Sequence, residues 1–352
     1  MAVSGTDVGA PPTEVWPLIS VIIPCRNEQR YIRVCLDSVL ASTYPKDSLE
    51  VLVVDGMSDD GTRDTLLDYA SHCRFIKVLD NPQRRIPQAL NIGIAHAQGE
   101  IIVRLDAHAR YDVDYLAKSV AYLEKYSADN VGGVRATEPQ EETLIGKAIA
   151  FSVSSPFTAG NALFRVGSQR ARWVDTVFGG CFRKELFQRI GLFNEELTRA
   201  EDREFNQRLR DAGGRILLSP DIRCTYYARS KLQEFIRWIV AGSSWVFFGG
   251  RVAGRRLLAF RNYVPLAFVL SLLVSLITAC FQPWVWWVLG TIVFFYLLAN
   301  IVSALPLVRK ERDARYFLAA PLIFTLTHFL YAVGSVYGIW KAIVNTSPRC
   351  EC

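Results

Sequence analysis

The chain has 352 residues, a formal net charge of +6 and 51% hydrophobic residues, which leaves room for one α/β catalytic domain of about 200 to 250 residues and a smaller second part. No Asp or Glu lies between Glu234 and Glu311, and Arg251, Arg255, Arg256 and Arg261 fall just ahead of a long apolar stretch, so the expected anionic partner is membrane lipid and not nucleic acid. The eight cysteines are scattered singly apart from Cys350 and Cys352, which excludes a disulfide framework or a paired zinc site and reads as reduced structural thiols.

Residues 1–17 are polar and read as a flexible N-terminus; the apolar run 18–23 is too short for a signal-peptide core, so the following domain is expected in the cytoplasm. From residue 18 short apolar runs alternate with helical periodicity. LISVIIP (18–24), EVLVVD (50–55), FIKVL (75–79) and EIIVRLD (100–106) read as strands, and residues 29–40, 62–70 and 88–97 as helices. That order predicts an α/β domain over residues 18–230 with a mainly parallel sheet covered on both faces, its ligand crevice outside the carboxyl ends of the strands. A helix at 113–126 and a strand VGGVR (131–135) follow, and residues 136–176 read as loop-rich.

Residues 231–248 carry Trp238, Trp245, Phe247 and Phe248 beside Lys231 and Arg237, a pattern shared by interfacial amphipathic helices and packed core helices. With the arginines behind it, the interfacial part spans 231–262. Three charge-free stretches come next, 263–281, 282–308 and 316–340, each long enough for a hydrocarbon core that needs about 20 residues. Residues 263–341 therefore read as a transmembrane region of about three helices, ahead of a tail at 342–352. Four basic residues in RKERDAR (309–315) place the N-terminal domain on the cytoplasmic side and the C-terminus outside. A tight apolar hairpin is the alternative for the first two stretches, and His328 in the third reads as a helix contact.

Three elements carry candidate chemistry. In VLVVDGMSDDGT (51–62) a strand ends at Asp55 and turns into a helix; a carboxylate there can accept from a base or ribose, while Asp60 or Thr62 equally suits a helix cap. In IIVRLDAH (101–108) Asp106 and His108 are two apart after a strand, competent for Mg2+ or Mn2+, and equally readable as a solvated loop. In TRAEDREFNQRLRDAGG (198–214) Glu201 and Asp202 open an amphipathic helix, where acidic residues suit the dipole as well as a general base.

Taken in this order along an α/β domain with a membrane tail, the motifs SVIIPCRNE, VVDGMSDDGT, ALNIGIAHAQGEIIVRLDAHA and the stretch from GGCFRKELFQRIGLFNE to AEDREF resemble family 2 glycosyltransferases of GT-A (Rossmann-like) fold. Within that family the chain looks most like ExoA-type enzymes of succinoglycan and related exopolysaccharide synthesis, over roughly residues 18–227. The resemblance implies a UDP-sugar donor, with glucose as the sugar, and a divalent Mn2+ or Mg2+ ion. It places Pro24, Arg26, Asn27, Glu28 and Asp55 at the nucleotide, Asp106 at ribose and metal, and Gly179 and Gly180 near the donor sugar and acceptor. Asp202 matches the general base, with Glu201 beside it.

Two departures follow. His108 stands where the family has a second metal-element Asp, which implies weaker, more manganese-selective and more pH-dependent binding. Gln233, Arg237 and Trp238 approximate the QxxRW element of processive synthases with one extra residue, which argues for single addition while leaving a diphosphate or membrane contact open. The expected reaction is one inverting transfer onto a polyprenyl-diphosphate-linked acceptor at the inner membrane. Two rivals stay open: a processive synthase pooling its spans as a homo-oligomer, and a non-catalytic nucleotide-sugar-binding scaffold of a polysaccharide assembly complex.

Overall fold

The computed structural model describes residues 16–255 and 257–344; Arg256 of the basic cluster, most of the 1–17 terminus, and the tail with Cys350 and Cys352 lie outside the described residues. The chain divides into two compact units, one formed by residues up to Ala136 with Gly167–Tyr226, the other by Thr137–Val166 with residues from Tyr227 onward.

In the first unit, β1 (Ile19–Cys25), β2 (Leu49–Asp55), β3 (Ile76–Asp80) and β4 (Ile101–Arg104) are parallel in the order β3-β2-β1-β4. Their apolar runs suit burial on both faces, and β2 is buried at every position. Helices α1 (Ile32–Leu40), α2 (Thr62–His72) and α3 (Ile86–His96) make the crossovers. Beyond β4 the direction reverses: β8 (Phe178–Arg183) pairs antiparallel with β4, and the sheet continues through β6 (Asn130–Pro139), β9 (Ile216–Ala228) and β5 (Ala109–Tyr111), with β7 (Arg172–Trp173) on β9. The result is one mixed nine-stranded sheet among the described residues. Helices α4 (Tyr115–Lys125), α8 (Glu185–Ile190) and α9 (Glu201–Asp211) complete the unit. Because Arg104 pairs with Gly180 at the end of β4, the strand stops before Asp106, which lies in the turn to β5.

The opposite ends of these strands are tied by one carboxylate. Glu50 accepts from Ser20 Oγ at 2.6 Å, the Gln98 amide at 2.9 Å and Lys77 Nζ at 2.9 Å. Burial pushes its pKa up, but these donors outweigh it and hold the group below its ordinary value. The stabilisation is therefore present above the unfolded carboxylate pKa and fades as pH falls through the lower folded one. Glu50→Gln is expected to cost about 1–3 kcal/mol at neutral pH, with the gap in thermal unfolding midpoint closing in acid; a gap that stays constant to pH 3 contradicts the assignment.

In the second unit, residues 144–166, read as loop-rich, instead form α5 (Leu144–Ser154), α6 (Pro156–Ala159) and α7 (Leu163–Val166). Ala148, Ile149 and Val153 of α5 join one apolar core with Phe235 and Ile239 of α10 (Leu232–Val252) and Ala320, Ile323 and Phe324 of α13 (Tyr316–Val344). Thus α10 is packed along one face, while Gln233 and Arg237 stay exposed and Trp238 lies half-buried beneath Arg165 and Arg229. Together with α11 (Phe260–Ala279) and α12 (Val285–Glu311), α13 makes three helices long and apolar enough to cross a membrane. Trp284, Trp286 and Trp287 are exposed at the start of α12, as at an aromatic belt. His328 serves as a helix contact: its ring nitrogens meet Tyr296 OH and the Phe157 carbonyl, each at 3.0 Å.

Candidate active site

An open cavity lies at the carboxyl ends of the parallel strands. Pro24, Cys25, Arg26 and Glu28 line it from β1, Gly56 from β2, Asn81, Arg84, Arg85, Ile86 and Ala89 from the β3–α3 connection, and Arg104, Asp106, Ala107 and His108 from β4. The loop after β1 is fixed by the turn after β2. Asn27 takes φ 54°, a left-handed backbone that Asn tolerates; its amide donates to Asp59 at 2.9 Å, and the Glu28 N–H donates to Thr62 Oγ1 at 2.8 Å. Asp60 accepts from the Thr62 N–H at the first residue of α2 at 3.0 Å, while the N-cap position itself falls to Gly61, with no side-chain cap bond.

Asp55 is wholly buried. Its carboxylate accepts from Ser58 Oγ at 2.6 Å and from Arg63 at 3.1 Å, behind a wall that the adjacent Gly56 presents to the cavity. His108 Nδ1 meets Glu28 Oε1 at 2.9 Å, and its ring stands edge-on to Tyr226 with centroids 5.0 Å apart. Burial pushes the His108 pKa down; Tyr226, Glu28 and Asp106 outweigh burial and lift it above the ordinary value.

The residue that joins the pieces is Arg104. Its Nη2 lies 3.1 Å from Glu201 Oε1 and 3.6 Å from Asp106 Oδ1. Burial opposes its charge, but Glu201, Asp106 and Asp202 more than compensate. Glu201 is pushed up by burial, and the opposing pull of Arg104 is exceeded once Asp202 and Asp106 are added. Asp202 is half-buried beside it, and Oδ1 accepts from the Arg203 N–H at 2.7 Å. Both acids sit in the first turn of α9 after Ala200, itself at φ 66°, where the helix end favours negative charge.

Gly179 and Gly180 have φ of 67° and 135°. A Cβ on Gly179 would come 2.7 Å from the Arg104 carbonyl, and one on Gly180 would strike the Phe182 ring, so only glycine lets β8 close on β4 at this point. The sequence-predicted residues thus gather in the first unit as a cavity set (Pro24, Arg26, Glu28, Asp106, His108), a supporting set (Asn27, Asp55, Gly179, Gly180) and the Glu201–Asp202 pair reached through Arg104. Gln233, Arg237 and Trp238 belong to the second unit. Sequence reasoning missed Arg104 and Asn81; a lone cation inside an apolar strand was the available signal for the first, because a buried charge needs a partner.

A mixed sheet with a crevice at its parallel ends and helices on both sides is the GT-A fold of nucleotide-sugar-dependent transferases. The solved structure of mannosyltransferase PcManGT from Pyrobaculum calidifontis in complex with GDP-Man and Mn2+ has this fold, with a TM-score of 0.60 at 22% identity over 98% of this chain and 92% of that one. Residues 20–191 match the family described as glycosyl transferase family 2. The succinoglycan biosynthesis protein ExoA of Rhizobium meliloti is 30% identical over 258 residues, 72% of this chain and 74% of that protein. A Methanococcus voltae protein named dolichyl N-acetyl-alpha-D-glucosaminyl phosphate 3-beta-D-2,3-diacetamido-2,3-dideoxy-beta-D-glucuronosyltransferase is 27% identical over 341 residues, 93% of this chain and 97% of that one. The chain belongs to the family 2 glycosyltransferases, of ExoA type, and is a glycosyltransferase.

Proposed function

We propose that the protein is an inverting, multi-pass glycosyltransferase of the cytoplasmic membrane that moves one glucose from UDP-glucose to a polyprenyl-diphosphate-linked sugar in exopolysaccharide synthesis. The observation that carries this reading is the Arg104 link between Asp106 on the cavity wall and the acidic pair opening α9. It supports reading a donor-diphosphate site at Asp106 next to a base at the start of α9. The lipid-linked acceptor is supported by the three helices able to span a bilayer and by the dolichyl phosphate acceptor in the name of the Methanococcus relative.

Pro24, Arg26 and Glu28 hold the nucleotide, with Asn27 and Asp55 stiffening the loop and turn behind it. Asp202 takes the proton from the acceptor hydroxyl as its oxygen attacks the anomeric carbon; the bond from that carbon to the diphosphate oxygen breaks, its electron pair leaves with UDP, and configuration inverts. Gly179 and Gly180 let β8 close on β4 beside the donor sugar and acceptor. Gln233, Arg237 and Trp238 meet lipid headgroups or the acceptor diphosphate.

The donor set fits a substrate-bridging ion and not an all-protein metal site, since no cluster of three His, Cys, Asp or Glu side chains suited to a metal occurs among the described residues. Asp106 would supply one oxygen. His108, oriented through Nδ1 by Glu28, would supply its other nitrogen, with phosphate and water completing the shell. Mn2+ or Mg2+ bound there would neutralise charge on the diphosphate. A ligand imidazole must be neutral, so the ion competes with the proton that Glu28 and Asp106 favour.

A panel of nucleotide sugars offered to membrane extract with a defined polyprenyl-diphosphate acceptor tests the reading. UDP-glucose is expected to add a single sugar, and chelation to remove the activity until manganese is restored. A ladder of longer products overturns single addition, and transfer from no uridine donor overturns the donor assignment.

A further inference from the structure

After β6 the chain forms α5 and α6, residues 144–159, LIGKAIAFSVSSPFTA, in which Lys147 is the single charge. That charge is neutralised near the start of the segment: Lys147 Nζ lies 2.9 Å from Glu142 and 2.6 Å from Glu311, the last residue of α12. From there α5 runs along α13. Ala148, Ile149 and Val153 share a core with Tyr316, Ala320, Ile323 and Phe324. Ser152 Oγ meets Thr327 Oγ1 at 3.2 Å, and the Phe157 ring of α6 faces Tyr296 of α12 and His328 of α13, with centroids 6.0 and 4.9 Å apart.

These partners set a depth. Trp284, Trp286 and Trp287 are exposed where α12 begins, and the first charge of the helix is Arg309. At the rise of an α-helix, Tyr296 is about 18 Å from Trp284 and about 20 Å from Arg309, the middle of a helix that crosses a hydrocarbon core of about 30 Å. His328 stands about 18 Å along α13 from Tyr316 and agrees. At that depth Leu144, Ile145, Phe151 and Phe157 are only half-buried and Pro156 is exposed, so apolar surface is left for a partner other than the helices.

The polar groups of the segment are closed internally, as hydrocarbon requires where no water can reach them. Ser154 Oγ donates to the Ala150 carbonyl at 3.1 Å, Ser155 Oγ accepts from the Phe157 N–H at 3.3 Å, and Thr158 Oγ1 donates to the Ser152 and Ser155 carbonyls. His328 Nε2 meets the Phe157 carbonyl at 3.0 Å. The break between α5 and α6 is thereby satisfied from inside the protein, the condition for non-helical backbone at membrane depth.

We propose that residues 144–159 form a re-entrant membrane segment that enters beside Glu311 and turns at Pro156 near the middle of the bilayer, with lipid acyl chains as the partner of its open surface. The inference rests on the reading of α12 and α13 as membrane-spanning. It adds an embedded element from within the residues that the sequence assigns to the catalytic domain. The chain leaves this element through α7 and continues to β8, so the connection leading to Gly179 and Gly180 is tethered in the bilayer at its start.

The test uses the full chain in membranes opened so that both faces meet a water-soluble maleimide, with modification read peptide by peptide. A thiol in hydrocarbon stays protonated and unreactive, so Pro156→Cys is expected to react at least about 10-fold more slowly than Glu142→Cys at the charged entry. Leu297→Cys, exposed on α12, should be protected in the same way, and all three should react alike once the chain is unfolded. The unsubstituted chain is read with a phospholipid carrying a photoactivated carbene at the end of its acyl chain: adducts are expected on 144–159 and on α12, and none on α2. If Pro156→Cys reacts like Glu142→Cys while Leu297→Cys is protected, or if 144–159 takes no acyl adduct or cross-links to a second copy of the chain instead, the re-entrant segment falls and the spanning helices stand. If Leu297→Cys reacts freely and α12 takes no adduct, the spanning reading fails and takes this one with it.

Discussion

Asp202→Asn is expected to lower the rate of transfer by about 10² to 10⁴-fold, the usual worth of a general base, while leaving UDP affinity unchanged. The two acids at the start of α9 are consecutive and differ in what surrounds them. Glu201 is 6% exposed and engaged by Arg104 at 3.1 Å, so a proton acceptor there would have to break an ion pair in a buried place. Asp202 is half-buried, and its Oδ1 accepts from the Arg203 N–H. An acceptor hydroxyl can reach such a carboxylate without unmaking the fold. Nucleotide binding is spared because Asp202 does not line the cavity. Single-turnover transfer measured beside UDP binding separates the two effects. If Asp202→Asn transfers at the wild-type rate and Glu201→Gln does not, the roles are reversed.

The parallel half of the sheet, α9 and the three long apolar helices were legible because each is written in a local pattern: apolar runs of strand length, a 3.6 period opened by acids, and charge-free stretches longer than a bilayer core. The antiparallel half was legible only at β6, where VGGVR (131–135) read as a strand. FGGCFR becomes β8 through pairing with β4, and a run with two glycines carries no strand pattern of its own. β9 carries Pro220 and Asp221 within its span, residues that ordinarily argue against a strand. Helix α5 is short, and its buried partners Ile323 and Phe324 lie about 170 residues away in sequence, so only tertiary packing reveals which face is apolar. In the site, residue types and order pointed to Asp106, His108, Glu201 and Asp202. The partnerships were invisible: nothing local announces that Glu28 meets His108 or that Arg104 meets Glu201 across 97 residues.

That last pairing makes Arg104→Met the substitution with the largest expected effect on folding. Methionine fills much of the volume and removes the cation, leaving Glu201 and Asp106 without the charge that holds them in a site where Arg104 itself is 11% exposed. Breaking a buried pair from one side costs about 3–5 kcal/mol, because the surviving charge stays desolvated. The pH dependence has a definite sign. Without Arg104, burial and the neighbouring charges of Asp202 and Asp106 hold the Glu201 pKa above its unfolded value. The penalty is therefore full above that folded pKa and shrinks as pH falls through it, when Glu201 takes up a proton and becomes neutral. Adding Glu201→Gln to Arg104→Met should recover much of the lost stability at neutral pH and remove the acid-dependent gain, since the glutamine has no charge to bury. Arg104→Lys should recover less, because a shorter, more strongly hydrated ammonium is costlier to bury where Arg104 Nη2 reaches both carboxylates. Thermal unfolding of the full chain in detergent between pH 4 and 8 reads all three variants. A deficit in Arg104→Met that is the same across that range, and untouched by Glu201→Gln, would mean that Arg104 contributes packing alone and that Asp106 and the α9 acids are not held together by charge.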